Sequence, residues 1–162
     1  MTSRGSNERV VTPGLVIGLG TTGCLAVKRL ENTISEWSNV DRARIDTLYL
    51  DTREETSKNI SRKSSFVSLA LPRHQNLEPT LPWITECVPE LGALDKTREG
   101  ALGLLAYGGL GIRFHWDDVI GKLDGLIESV SPYYEGETRV KVHIVGFLGG
   151  GTIGALPVLL AA

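Results

Sequence analysis

The sequence predicts an α/β fold: a parallel sheet with helices on both faces. Three observations predict it. Apolar runs of strand length, at Leu15–Ile17, Ile45–Leu50 and Val140–Ile144, alternate with segments of helical periodicity. Two of those strands run into glycine-rich turns, Gly18-Leu19-Gly20-Thr21-Thr22-Gly23 and Gly149-Gly150-Gly151-Thr152, and each turn opens a helical pattern. Strands separated by helices pair in parallel rather than as hairpins, and helices then cover the sheet.

Taken in order, residues 1–12 read as a loose polar tail, with Arg4, Glu8 and Arg9 and no apolar core of a secretory signal. The domain spans 13–162. After the strand Leu15–Ile17, a helix from about Thr22 to Trp37 sets Val27, Leu30, Ile34 and Trp37 on one stripe, with Lys28, Arg29 and Glu31 outward. A polar connection, Ser38–Arg44, leads to the strand Ile45–Leu50, which ends at Asp51-Thr52. Arg53–Ser65 is charged and hydroxyl-rich, an exposed loop or frayed helix in which Arg62 and Lys63 form a small solvated basic spot.

Phe66–Leu71 suits a third strand. Pro72, Pro79, Pro82 and Pro89 punctuate the next stretch, where Trp83 is expected in the core. A helix from Lys96 to about Tyr107 turns Leu102, Leu105 and Ala106 inward, and Gly108-Gly109-Leu110-Gly111 ends it. From His115 to Val130 the apolar stripe is Trp116, Val119, Ile120, Leu123, Ile127 and Val130; Asp117 and Asp118 in the first turn complement the helix dipole. Ser131-Pro132 stops this helix. The last strand alternates Val140, Val142 and Ile144 with Lys141 and His143, and an apolar helix, Ala155–Ala162, closes the chain.

At 162 residues the chain is long enough for one domain with a full core. A net charge of −2 gives no general reason to bind nucleic acid. Cys24 and Cys87 form no CxxC pair, which fits a reducing, cytoplasmic setting. His74, His115 and His143 show no metal-ligand spacing. Cys24 in a helix's first turn has either a lowered thiol pKa or the plain role of a small buried residue. The uncharged stretch from Ile144 to Ala162 is as long as a membrane span and carries GxxxG spacings. Its successive glycines, Pro157 and a strand-like approach argue for a soluble strand–turn–helix unit instead.

The candidate site lies in the two turns. Gly18, Gly20 and Gly23 match GxGxxG, where glycine permits a tight turn and lets pyrophosphate approach the backbone; the alternative is a glycine turn that only packs helix on strand. Asp51 ends a strand, as the ribose-binding acid of that fingerprint does, but lies farther along than usual. The P-loop pattern fails, since Cys24 follows Gly23 where lysine is required. Gly149, Gly150 and Gly151 cost backbone entropy together, and close approach of an anionic ligand explains them better than a flexible connector. Thr152 adds a hydroxyl.

The run Gly146-Phe147-Leu148-Gly149-Gly150-Gly151-Thr152-Ile153-Gly154-Ala155-Leu156-Pro157-Val158 resembles the phosphate-binding glycine motif of the tubulin/FtsZ superfamily. Val16-Ile17-Gly18-Leu19-Gly20-Thr21-Thr22-Gly23 resembles its first phosphate loop, and Leu48-Tyr49-Leu50-Asp51-Thr52 its strand ending in a metal-facing aspartate. The form is most similar to divergent prokaryotic tubulin-like proteins.

The resemblance implies GTP with Mg2+ and head-to-tail self-association of the complete protein. Gly20, Thr21, Thr22 and Gly23 would line one side of the phosphates, and Gly149, Gly150, Gly151, Thr152 and Gly154 the other. Asp51, beside Thr52, would face the metal through water. The terminal phosphate would meet Gly92-Ala93 with Arg98, or Gly108–Gly111. Ile153 directly before Gly154 departs from the family's small pair, and either crowds a phosphate or points into the core. The family's domain also continues past this motif to a guanine-reading segment and a second domain that carries the water-activating acid. The expectation is therefore an incomplete GTPase domain whose hydrolysis belongs to the complete, assembled protein, and which exposes strand edge and apolar surface alone. The alternatives are an NAD(P)-binding Rossmann domain of an oxidoreductase or sensor, and a non-catalytic tubulin-like scaffold.

Overall fold

The computed structural model describes residues 12–60, 65–71, 105–133 and 140–161. Its elements, numbered in chain order among these residues, begin with β1 (Gly14–Leu19), α1 (Gly20–Ile34), α2 (Asn39–Ala43), β2 (Ile45–Asp51), a 3-10 segment (Glu54–Asn59) and β3 (Phe66–Ser68). There follow α3 (Leu105–Phe114), α4 (Trp116–Val130), a 3-10 turn (Ser131–Tyr133), β4 (Lys141–Gly146), a second 3-10 segment (Gly151–Ala155) and α5 (Leu156–Leu160). The four strands form one parallel sheet in the order β3-β2-β1-β4. The layout is α/β and Rossmann-like, in a small domain.

β1 is buried along its whole length, as its unbroken apolar run requires of a central strand. Alternation divides its side chains between two cores. Leu15, Ile17 and Leu19 join Leu48, Leu50, Val67 and Leu69, closed over by Ile112 of α3 and Val119 of α4. Val16 points the other way, to Cys24 and Val27 of α1, with Tyr49 and Ile60. Helices therefore cover both faces. In register, Leu19 lies beside Leu50 of β2 and Gly146 of β4, so all three strands end level. The chain steps from β1 to β2 and β3 on one side, then returns to place β4 on the other. The order reverses between β1 and β4, where α/β sheets open a crevice at their carboxyl edge.

Several expected boundaries move. α1 starts at Gly20 and ends at Ile34, leaving Trp37 off the stripe and 38% exposed. The third strand is shorter than Phe66–Leu71. The expected terminal helix divides into a 3-10 segment and α5, with Pro157 in α5's first turn, where its missing N–H costs nothing. No helix among the described residues is long and apolar enough to cross a membrane.

The largest correction concerns Gly108, Gly109 and Gly111. They do not end a helix; they lie inside α3, while Leu105 is 54% exposed and Ala106 is exposed too. The cause is close packing. A Cβ on Gly108 would lie 2.4 Å from the carbonyl oxygen of Gly151, and one on Gly111 would lie 2.3 Å from that of Leu69. Each glycine costs a helix about 1 kcal/mol against alanine, and here backbone-to-backbone contact offsets that cost. Residues 1–11, His74, Trp83, Cys87, the helix portion 96–104 and the spot at 62–63 lie outside the described residues.

Candidate functional site

The two glycine turns meet at the carboxyl edge of the sheet, one following β1 and the other following β4. A Cβ on Gly20 would lie 3.2 Å from Cβ of Thr152, so the turns are in contact. Gly20 has φ +70, a left-handed conformation that glycine adopts without strain. This permits the abrupt passage from strand to helix. Gly18 and Gly23 serve packing: Cβ atoms there would lie 2.9 Å from the Gly23 carbonyl oxygen and 2.2 Å from that of Val145. Gly23 thus lets α1 lie directly on β4. α1 has no side-chain cap and no acid in its own first turn; the carboxylate at this end is that of Asp51, which accepts from Thr21 Oγ1 of the first turn at 2.8 Å. Thr22 is exposed there.

The second turn divides its glycines between roles. Gly149 accommodates a neighbouring ring, since a Cβ would lie 2.8 Å from Cε1 of Phe147. Gly150 is less crowded than Gly149, though a Cβ there would still lie 3.2 Å from the Phe147 carbonyl oxygen. Gly151 and Gly154 meet α3: a Cβ on Gly154 would lie 1.7 Å from the Leu105 carbonyl oxygen. Ile153 packs against the larger core and so points inward. Phe147 and Leu148, by contrast, are 61% and 79% exposed at the tip.

Asp51 connects the turns. Its carboxylate is buried at the end of β2 and receives four hydrogen bonds. Thr21 Oγ1 and Thr56 Oγ1 donate to Oδ2 at 2.8 and 2.6 Å, while Thr152 Oγ1 and the Arg53 amide donate to Oδ1, both at 3.3 Å. Thr52 Oγ1 lies 3.1 Å from Thr152 Oγ1. A buried carboxylate needs such partners, and hydroxyls supply them without an opposing charge. Of the predicted residues, Gly20, Thr21, Asp51, Thr52 and Thr152 are brought into one cluster. Thr56 was not anticipated; only its place in a hydroxyl-rich segment just after the aspartate could have pointed to it.

Cys24 is buried against β1 and β2, its Sγ 3.5 Å from the Gly18 carbonyl oxygen and 3.8 Å from that of Leu50. Burial, and then the Asp51 charge, push its thiol well above the ordinary range, so it packs rather than reacts. His115 is structural as well: its Nε2–H donates to the Ala70 carbonyl oxygen at 2.8 Å. Among the described residues no group of three or more His, Cys, Asp or Glu could hold a metal. The cluster does offer hard oxygen donors, one carboxylate and several hydroxyls. Oxygen donors of this kind are the class of ligand that Mg2+ takes. Gly108–Gly111 contacts the second turn through α3; Gly92, Ala93 and Arg98 lie outside the described residues.

Compared with family models and with curated proteins, the chain finds no match.

Proposed function

We propose that the chain is the nucleotide-binding domain of a tubulin/FtsZ-like protein, taking GTP with Mg2+ between its two glycine turns. One observation carries this reading: turns far apart in sequence converge on Asp51 and Thr152 where the strand order reverses. Amides of the first turn of α1 and of the Gly149–Thr152 turn would receive the phosphates, that of Gly150 on leaving its bond to the Phe147 carbonyl oxygen. Thr21, Thr52 and Thr152 would turn hydroxyls toward them, and Asp51 would face the Mg2+ ion through water. On this reading the described residues hold the nucleotide, and hydrolysis would take place where copies associate head to tail, in the cytoplasm.

Calorimetric titration tests the reading. Mg2+·GTP should bind more tightly than NADH, and Gly150→Val, confirmed as folded by circular dichroism, should abolish binding. Equal or tighter NADH binding overturns it.

The Rossmann dinucleotide alternative is favoured by Gly20 and Gly23, which play the turn and packing parts of that fingerprint, and by Asp51 at the end of β2. It is disfavoured by the interval from Gly23 to Asp51, longer than the roughly 20 residues of that fingerprint. It also gives Gly149–Thr152 no task. A tubulin-like scaffold without a ligand would show no thermal shift with Mg2+·GTP.

A further inference from the structure

We infer that Thr56 is a positioning residue, one that holds the Asp51 carboxylate in place when the hydroxyls of the turns engage a phosphate. This deepens, and rests on, the nucleotide reading above. Thr56 belongs to neither glycine turn. It is the one buried residue of the 3-10 segment Glu54–Asn59, and its hydroxyl makes the shortest of the four bonds to Asp51, 2.6 Å to Oδ2. The other donor to Oδ2 is Thr21 at 2.8 Å, from the first turn. Oδ1 takes Thr152, from the second turn, and the Arg53 amide.

Thr21 and Thr152 are the hydroxyls that a phosphate between the turns would recruit. Each one that rotates away leaves a buried carboxylate short of a donor, which is costly. Thr56 and the Arg53 amide lie just past β2 and are not called away. Without the Thr56 hydroxyl, Oδ2 would keep no donor among the described residues once Thr21 engaged the ligand. Asp51 would then reclaim Thr21 or swing out of line with the Mg2+ ion, and Mg2+-dependent affinity would fall.

Valine at position 56 keeps the shape and removes the hydroxyl, while serine keeps the hydroxyl. Wild type, Thr56→Val, Thr56→Ser, Asp51→Asn and the Asp51→Asn/Thr56→Val pair are titrated with GTP, in Mg2+ and in EDTA. Thr56→Val should weaken Mg2+·GTP binding on the order of 10-fold, the size of one lost hydrogen bond to a charged group. The loss in EDTA should be smaller, and Thr56→Ser should restore the affinity. In the Asp51→Asn background the valine should add almost nothing, since Thr56 acts through Asp51.

Unchanged Mg2+·GTP affinity in Thr56→Val, or a full additional loss in the Asp51→Asn background, overturns the inference while the nucleotide reading stands. A wild-type chain that binds GTP under neither condition sinks both. If Thr56→Val does not stay folded, the same titrations in trimethylamine N-oxide, which favours the folded state, carry the same expectations.

Discussion

Thr152 and Asp51 are 101 positions apart in the chain, yet the hydroxyl of one donates to the carboxylate of the other at 3.3 Å. With Thr21 on the second oxygen, Asp51 joins the ends of three adjacent parallel strands. Each partner is supplied by a turn that its own strand positions, so the cluster is a product of register as much as of motif.

Removing that carboxylate should be costly even without ligand. Asp51→Ala strands three buried or half-buried hydroxyls and is expected to destabilise the fold by about 2–4 kcal/mol. Asp51→Asn, which keeps an acceptor, should cost less. Urea denaturation midpoints check both; an alanine variant within error of wild type would show that the cluster adds nothing to stability.

Glycine-to-alanine changes should differ in sign by position. Gly23→Ala would drive a methyl into the Val145 carbonyl oxygen, 2.2 Å away, and Gly20→Ala would hold alanine at φ +70. Losses of about 1–3 kcal/mol are expected from the first and about 1–2 from the second. Gly121 and Gly125 of α4 have nothing within 4 Å of a Cβ, so alanine there should stabilise. The gain is about 0.5–1 kcal/mol each. Thermal melting of the four single variants provides the comparison.

Cys24 should resist thiol reagents in the folded chain. In a Cys87→Ser background, which leaves it as the sole thiol, colour release from a disulfide reagent at pH 8 should be slow until denaturant is added. Rapid labelling of the folded protein would contradict the burial on which its raised pKa depends.

Alkaline pH should weaken the fold. Burial raises the thiol of Cys24 and the phenols of Tyr49 and Tyr107, and the Glu31 carboxylate raises Tyr49 further. For such groups the unfolded chain loses its protons first. Stability is therefore whole below the unfolded values, about 8.5 for cysteine and about 10 for tyrosine, and declines as pH climbs past them. Urea midpoints between pH 7 and 11 should fall, and Tyr49→Phe should flatten part of the slope. A flat profile would rule this out.

Much of the layout was legible because each element stated its period locally. Leu15–Ile17 announced an apolar strand, and His115–Val130 a stripe of helical spacing. The meeting of Gly20 and Asp51 at one edge of the sheet was legible because a strand ends at each. What stayed hidden was tertiary. Gly108 and Gly111 read as a helix stop because glycine is a poor helix former, and only the nearness of Gly151 and Leu69 explains them inside α3. Trp37 matched the helical spacing of α1 but lies beyond its last turn. Nor does any pattern mark Thr56, whose part depends on how the chain curls after β2.

The contact of α3 with the second turn has a mechanical consequence. Gly108 and Gly154 press main chain against main chain, with no pliable side chain between. Rotamer changes cannot absorb a shift of Gly151–Gly154, so any such displacement is handed to α3 as a whole. A label near Arg113, at the far end of that helix, would act as a lever arm reporting from a distance on what happens at Thr152.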